Sequence, residues 1–192
     1  PRWYVRVMKF TTILLCALAA YTLPGLAEAN RTYIPVGKAA TKKTILAFPT
    51  VRKIAKTPTV MARQVHKVLE NDLVFMDLFK FLPTSAYLEN TEKAGLLPNT
   101  FRMSDWTSAG VEILIKSQLQ LQGNSLTYEI YVYDTFRNKQ ILAKRYVAEK
   151  KDLKTLAHTA ANDIVQTITG SPGIFLTKIA MTCNRTGKKE IY

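Results

Sequence analysis

Histidine, cysteine and acidic residues are scarce in this chain, and each shortage excludes a kind of chemistry. The two histidines, His66 and His158, have no cysteine or acidic cluster at ligand spacing around them. Packing or surface roles are expected for both, and no metal centre. The two cysteines are Cys16 and Cys183. Cys16 sits inside an apolar run near the start, after Leu15 where a lipid-attachment site wants a small residue. Once that run is removed Cys183 stands alone, so no intrachain disulfide can form and the core has to hold the fold by itself. Nothing in the sequence pairs Cys183 with a base. Phosphate loops, dinucleotide fingerprints and nucleophile elbows are absent as well. The expectation is a protein that is not an enzyme and takes no cofactor or metal.

Long hydrophobic runs are also missing. The apolar stretch Ile13 to Ala20 is well short of the roughly 20 residues that span a bilayer. It follows Met8 and Lys9 and precedes Pro24, Gly25 and the small-x-small sequence Ala27-Glu28-Ala29. This is the order of an export signal, with Met8 as initiator and Ala29 as the last residue removed; an uncleaved anchor is the weaker reading. Export to the periplasm follows. Loss of residues 1–29 lowers the net charge from +13 to +11 and leaves no membrane span.

Acidic residues number 14 against 27 Lys and Arg. The imbalance is concentrated between Arg31 and Leu69, where Arg31, Lys38, Lys42, Lys43, Arg52, Lys53, Lys56, Arg63 and Lys67 face no Asp or Glu. Such a stretch is either a solvated basic surface or a face for an acidic partner, and both readings stay open. Nucleic acid is not expected, because an exported protein seldom meets it and stacking aromatics are not interleaved with these cations.

What the chain does have is a stretch that states its own geometry. Val111, Ile113, Ile115, Leu119 and Leu121 alternate with Glu112, Lys116, Gln118, Gln120 and Gln122, with Leu114 and Ser117 breaking the pattern. That is a half-buried strand. Gly123-Asn124 suits a two-residue type II′ turn, after which Leu126, Tyr128, Ile130 and Val132 resume the alternation. A looser turn through Arg137, Asn138 and Lys139 leads to a third strand, Ile141 to Val147. Elsewhere, Thr44 to Phe48 reads as a short buried strand stopped by Pro49. Thr57 is expected to cap a helix with Pro58 at its first position and Met61, Val65, Val68 and Leu69 on its apolar face. Leu73 to Leu82 is expected to be a strand completing a right-handed β-α-β crossover with Thr44 to Phe48. Residues 83–103 read as a surface loop, and Ser104-Asp105-Trp106 as a capped short helix ended by Gly110. Asp152 is expected to cap a helix carrying Leu153, Leu156, Ala157, Ala160, Ile164 and Ile168 on one face, stopped by Gly170. Trp106, Ile113, Ile130 and Ile164 are expected to meet in one core. After Ser171-Pro172-Gly173, Ile174 to Cys183 reads as a strand whose partner has barely begun at Tyr192, as in the front part of something larger.

Several segments resemble the amino-terminal part of the TolB family, the periplasmic component of the Tol-Pal system. They are Ala157-His158-Thr159-Ala160, Ile168-Thr169-Gly170 and Gly173-Ile174-Phe175-Leu176-Thr177-Lys178-Ile179-Ala180, with Trp106 followed by Gly110-Val111-Glu112-Ile113 and Tyr131-Val132-Tyr133-Asp134-Thr135. The similarity covers about residues 30–192 and thins between 50 and 103. It implies an α/β fold: a mixed β-sheet with the antiparallel three-strand meander, covered by two main helices and ending in the first strand of an absent β-propeller, Phe175 to Thr182. The implied division is 1–29 upstream residues and signal peptide, 30–43 an extended arm, 44–173 the α/β domain and 174–192 the start of the propeller. The family's propeller contacts Pal, the peptidoglycan-associated lipoprotein, so that contact is not carried over. The family's other contact, with the carboxy-terminal domain of TolA, falls here on Arg31, Thr32, Tyr33, Ile34, Pro35, Val36, Gly37 and Lys38. The function implied is a non-enzymatic periplasmic adaptor that links inner-membrane TolA to outer-membrane components during cell division and maintains envelope integrity. The alternative from the residues themselves is a basic periplasmic module that binds an anionic envelope polymer or nucleic acid.

Overall fold

A computed structural model of the chain describes residues 42–91, 93–178, 180, 182–184, 187 and 190–191. The expected export signal and the arm as far as Thr41 lie outside the described residues. The longest strands form over the stretch that the period-two pattern marks, although the alternation is cleanest in the second of them and weakest in the third, where Lys144 and Arg145 are adjacent. Ile113–Gln122 (β4), Ser125–Asp134 (β5) and Lys139–Glu149 (β6) make the antiparallel meander. Gly123 turns β4 into β5 with φ +61°, the left-handed value a type II′ turn requires. Between β5 and β6, Asn138 takes φ +49°. A bulge opposite Val132 and Tyr133 shifts the register, so Ile141 has no direct partner.

Three short parallel strands extend this sheet. Thr44–Ala47 (β1) lies between β4 and Phe79–Phe81 (β3), and Arg52–Ile54 (β2) pairs with β4 beyond the end of β1. The order is β3-β1-β4-β5-β6 with β2 beside β4, the mixed α/β sheet expected. Helices Thr59–Phe75 (α1) and Leu153–Thr169 (α3) cover one face, and the short helix Met103–Ser108 (α2) lies on the other. On the first face, Ile115, Leu119, Tyr128, Ile130 and Val132 pack against Val65, Leu69 and Leu73 of α1 and Ala157, Ala160, Ile164 and Val165 of α3. His158 Nδ1, 2.7 Å from Asp72 Oδ2, ties the two helices together.

Several local expectations are corrected. Thr57 does not cap α1: Pro58 takes the cap position, and the Thr57 hydroxyl donates to the Ile54 carbonyl and accepts the Leu121 amide at 3.0 Å. It completes the β4 ladder where β2 ends. Leu73, Val74 and Phe75 belong to α1, because Leu73 continues the stripe four residues after Leu69; the expected strand shrinks to β3. Asp152 makes no capping bond, since a 3₁₀ turn over Lys150–Asp152 runs straight into α3. Helix α2 begins at Met103 rather than being capped by Ser104, and a Schellman closure ends it, with Gly110 at φ +77° and Val111 N–H on the Trp106 carbonyl. In the tail, Ile174–Thr177 is a turn. Among the described residues the expected strand is confined to Thr182–Cys183 (β7), and it has a partner, Glu190–Ile191 (β8). Gly173 allows the turn to approach α3: a Cβ there would lie 2.2 Å from Asn162 Oδ1, which accepts the Phe175 amide.

The largest correction concerns the second face of β4. Trp106 does not join Ile113, Ile130 and Ile164; it forms a separate cluster with Ala47, Val111, Leu114 and Tyr133 on the opposite side of the sheet. Leu114, an interruption in the sequence pattern, belongs to this second core. Lys116, expected on a polar face, is only 4% exposed and forms an ion pair with Glu89, itself 5% exposed. Its ammonium donates to the Gly95 carbonyl at 2.9 Å and lies 4.1 Å from the centre of the Phe101 ring. Glu89 also accepts the Trp106 indole N–H at 3.0 Å, and Tyr133 donates to the Leu96 carbonyl at 2.7 Å. Burial pushes the Lys116 pKa down, and the hydrogen bond and charge of Glu89 oppose that shift. The segment read as a surface loop is thereby clamped over the sheet.

Two mutational outcomes follow. Ile130→Ala is expected to cost about 2–5 kcal/mol in chemical denaturation, through lost transfer energy and a residual cavity, whereas exposed Lys53→Ala stays within about 0.5 kcal/mol. Lys116→Met, which leaves the Glu89 carboxylate buried without its cation, is expected to cost about 3–5 kcal/mol. Adding Glu89→Leu to that variant should recover part of the loss; a double variant less stable than the single one would remove the clamp from the stability argument.

Candidate functional site

The residues singled out for partner contact, Arg31, Thr32, Tyr33, Ile34, Pro35, Val36, Gly37 and Lys38, lie outside the described residues, so no geometry is assigned to them. The described part of the same basic stretch divides in two. Lys42 and Lys43 reach Glu112 and Asp77 respectively. Arg52, Lys53, Lys56, Arg63 and Lys67 are exposed and form no ion pair among the described residues.

Local structure gathers these five. The chain leaves β2 through a turn in which Ala55 takes φ +52°, then enters α1 almost at once, so the strand and the helix start share one end of the molecule. Arg63 and Lys67 are one helical turn apart and share a face. Arg52 and Lys53, consecutive in a strand, point to opposite sides of the sheet. Lys53 donates to the Thr59 hydroxyl at 2.8 Å and, with Arg63 and His66, lines a cavity of about 230 Å³ that also includes Val51 and Ala62. Arg52 lines a depression of about 220 Å³ on the loop side with Leu96, Leu97, Gln118 and Tyr131.

Both histidines have packing roles. The His66 ring stacks on Phe48 with centroids 4.2 Å apart, and its buried Nδ1 has no hydrogen-bond partner among the described residues. Burial pushes its pKa below the usual 6.5, and the charge of Glu70 opposes this. His158 is held by Asp72, whose carboxyl is in turn pushed up by burial against the opposing hydrogen bond. Cys183 is a half-buried free thiol in β7. Among the described residues no group of three or more His, Cys, Asp or Glu is placed to hold a metal ion. A depression of about 580 Å³ lies beside α2 against Phe101, Met103 and Tyr133, and its lining includes neither carboxylate, imidazole nor thiol. The sequence marked the cations of β2 and α1 as a run. It carried no signal that Lys53 and Arg63 would flank one cavity, because that follows from the turn between the strand and the helix.

These features define a mixed-sheet α/β domain whose exposed features are sheet edges and a one-signed charged end. The chain belongs to the TolB amino-terminal domain family, whose model matches residues 32–141. It is 34% identical over 189 residues to the Tol-Pal system protein TolB of Geobacter metallireducens and 32% identical over 190 residues to that of Geobacter sulfurreducens. Those matches take in 97% and 98% of this chain but 42% and 43% of the relatives, so the chain spans about two fifths of their length. The crystal structure of TolB from Acinetobacter baumannii shares the fold, with a TM-score of 0.58 at 19% identity over 73% of this chain and 32% of that one.

The depressed His66 pKa has a consequence of definite sign. Below about pH 6.5 the unfolded chain takes up a proton at this position that the folded protein refuses. The contribution of His66 is thus complete above 6.5 and is lost as pH falls through the folded-state value. His66→Phe, which keeps the stack on Phe48, is expected to reduce the drop in thermal midpoint between about pH 7.5 and pH 5. An undiminished drop would assign the acid sensitivity to other groups.

Proposed function

We propose that this chain acts as a non-enzymatic periplasmic adaptor of the Tol-Pal system, linking inner-membrane TolA to outer-membrane components during cell division and supporting envelope integrity. The observation that carries the reading is the family match, which begins at residue 32 and so takes in the arm from Thr32 to Lys38. Residues 1–29 act as the export signal in this reading, 30–43 as the arm, 44–173 as the α/β domain, and 174–192 as the opening of a propeller. The arm meets the carboxy-terminal domain of TolA as an added strand: Tyr33, Ile34 and Val36 favour extended backbone, and alternate side chains enter pockets on the partner. No Pal contact is assigned to these residues, because the resemblance places it in the propeller.

Calorimetric titration of the TolA carboxy-terminal domain tests the arm. A protein starting at Asn30 is expected to bind, and one starting at Ala39 to bind about tenfold more weakly or not at all. Unchanged affinity after the deletion takes the arm out of the contact.

A further inference from the structure

We propose that the open edge of β2, with the cations around it, is a docking site for an extended acidic peptide segment of a partner protein. Strand β2 pairs with β4, its last carbonyl, on Ile54, is taken by Thr57, and among the described residues no strand lies along its other edge. Such an edge carries backbone donors and acceptors in strand register, and another extended backbone satisfies them.

Charge selects the occupant. The longer edge strand β6 also carries cations, but carboxylates on neighbouring elements pair with two of its three: Lys144 lies 2.6 Å from Asp163 of α3, and Arg145 pairs with Glu129 of β5. Around β2 the five cations from Arg52 to Lys67 have no acidic partner among the described residues. An added strand sends its side chains alternately to the two sides of the sheet. One set meets Lys53 and Arg63 at the mouth of the 230 Å³ cavity, whose Val51 and Ala62 receive the apolar part of a side chain. The other set meets Arg52 on the loop side. The division of the cations between two faces favours a peptide over a membrane, because a flat bilayer would reach one face and leave the other, together with the backbone edge, unused. The site uses residues outside the arm and is independent of the TolA contact.

The probe is a fluorescein-labelled decapeptide repeating Glu-Glu-Val-Val, which as a strand carries glutamate and valine on both sides of the sheet, titrated with the chain by fluorescence anisotropy at physiological salt. Lys53→Glu with Arg63→Glu is expected to weaken binding about tenfold or more, whereas Lys139→Glu with Lys150→Glu, the same charge change near β6, changes it less than about twofold. The same peptide with every amide N-methylated keeps its charge, loses its backbone donors and is expected to bind about tenfold more weakly. Arg52→Glu alone supplies a second variant should the double one fold poorly, as judged by circular dichroism, and it is also expected to weaken binding. A chain starting at Ala39 is expected to bind the probe with unchanged affinity, which separates this site from the arm. The proposal is overturned if the wild-type chain does not bind the probe, if both double variants lose affinity equally, or if the N-methylated peptide binds as well as the parent. Equal affinity for inorganic polyphosphate or for phosphatidylglycerol vesicles also overturns it, by showing attraction of charge without recognition of a strand.

Discussion

The structure depends on the burial of β4 on both of its faces. From Ile113 to Ser117 every side chain is withdrawn from water, although consecutive residues of a strand point in opposite directions. One side therefore belongs to the core under α1 and α3, and the other needs a cover of its own. Leu114 and Trp106 supply apolar contact there, but Lys116 also arrives on that side with a charge. An unpaired ammonium in such a place is too costly to persist, so the loop after β3 is held where Glu89 and the Gly95 carbonyl meet it. A segment without regular structure thus acquires a defined position from one buried ion pair.

The same sheet sorts the protein's charge. Across the meander, carboxylates sit opposite cations: Glu129 is flanked by Gln118 on β4 and Arg145 on β6 in direct cross-strand register, and Lys144 and Tyr146 both reach Asp163 on α3. At the β2 and α1 end the five cations from Arg52 to Lys67 make no such pair among the described residues, and a charge of opposite sign acting there is that of Glu70, which faces His66. A half in which most charges are paired and an end that gathers unpaired cations is the division expected of a domain that meets other proteins through its edges. Membership of the TolB amino-terminal domain family agrees with that division, because the function proposed for the chain is to bring other components together.

Much of the fold was legible because short-range periodicity determined it. The meander, its glycine turn, the helix stripe from Met61 to Leu69 and the Gly170 stop all depend on residues within a few positions of one another. Helix caps were read less well. Thr57 has the right side chain for a cap, yet its hydroxyl is taken by Leu121, a partner 64 residues away. The end of α1 is not legible in the sequence, because an apolar run such as Leu73 to Leu82 supports helix and strand equally until its packing is known.

By itself the sequence determined the period-two strands, the two amphipathic helices, the basic stretch and its lack of nearby carboxylates. These are local properties, set by side-chain spacing and composition. The tertiary structure alone decided that Lys116 is buried, that Trp106 belongs to a second core, and that Lys53 and Arg63 flank one cavity beside an open strand edge. Each of those outcomes depends on which face of the sheet a distant segment covers. Spacing along the chain does not encode that choice, because burial and the pairing of charge are settled between residues that meet only after the sheet has formed.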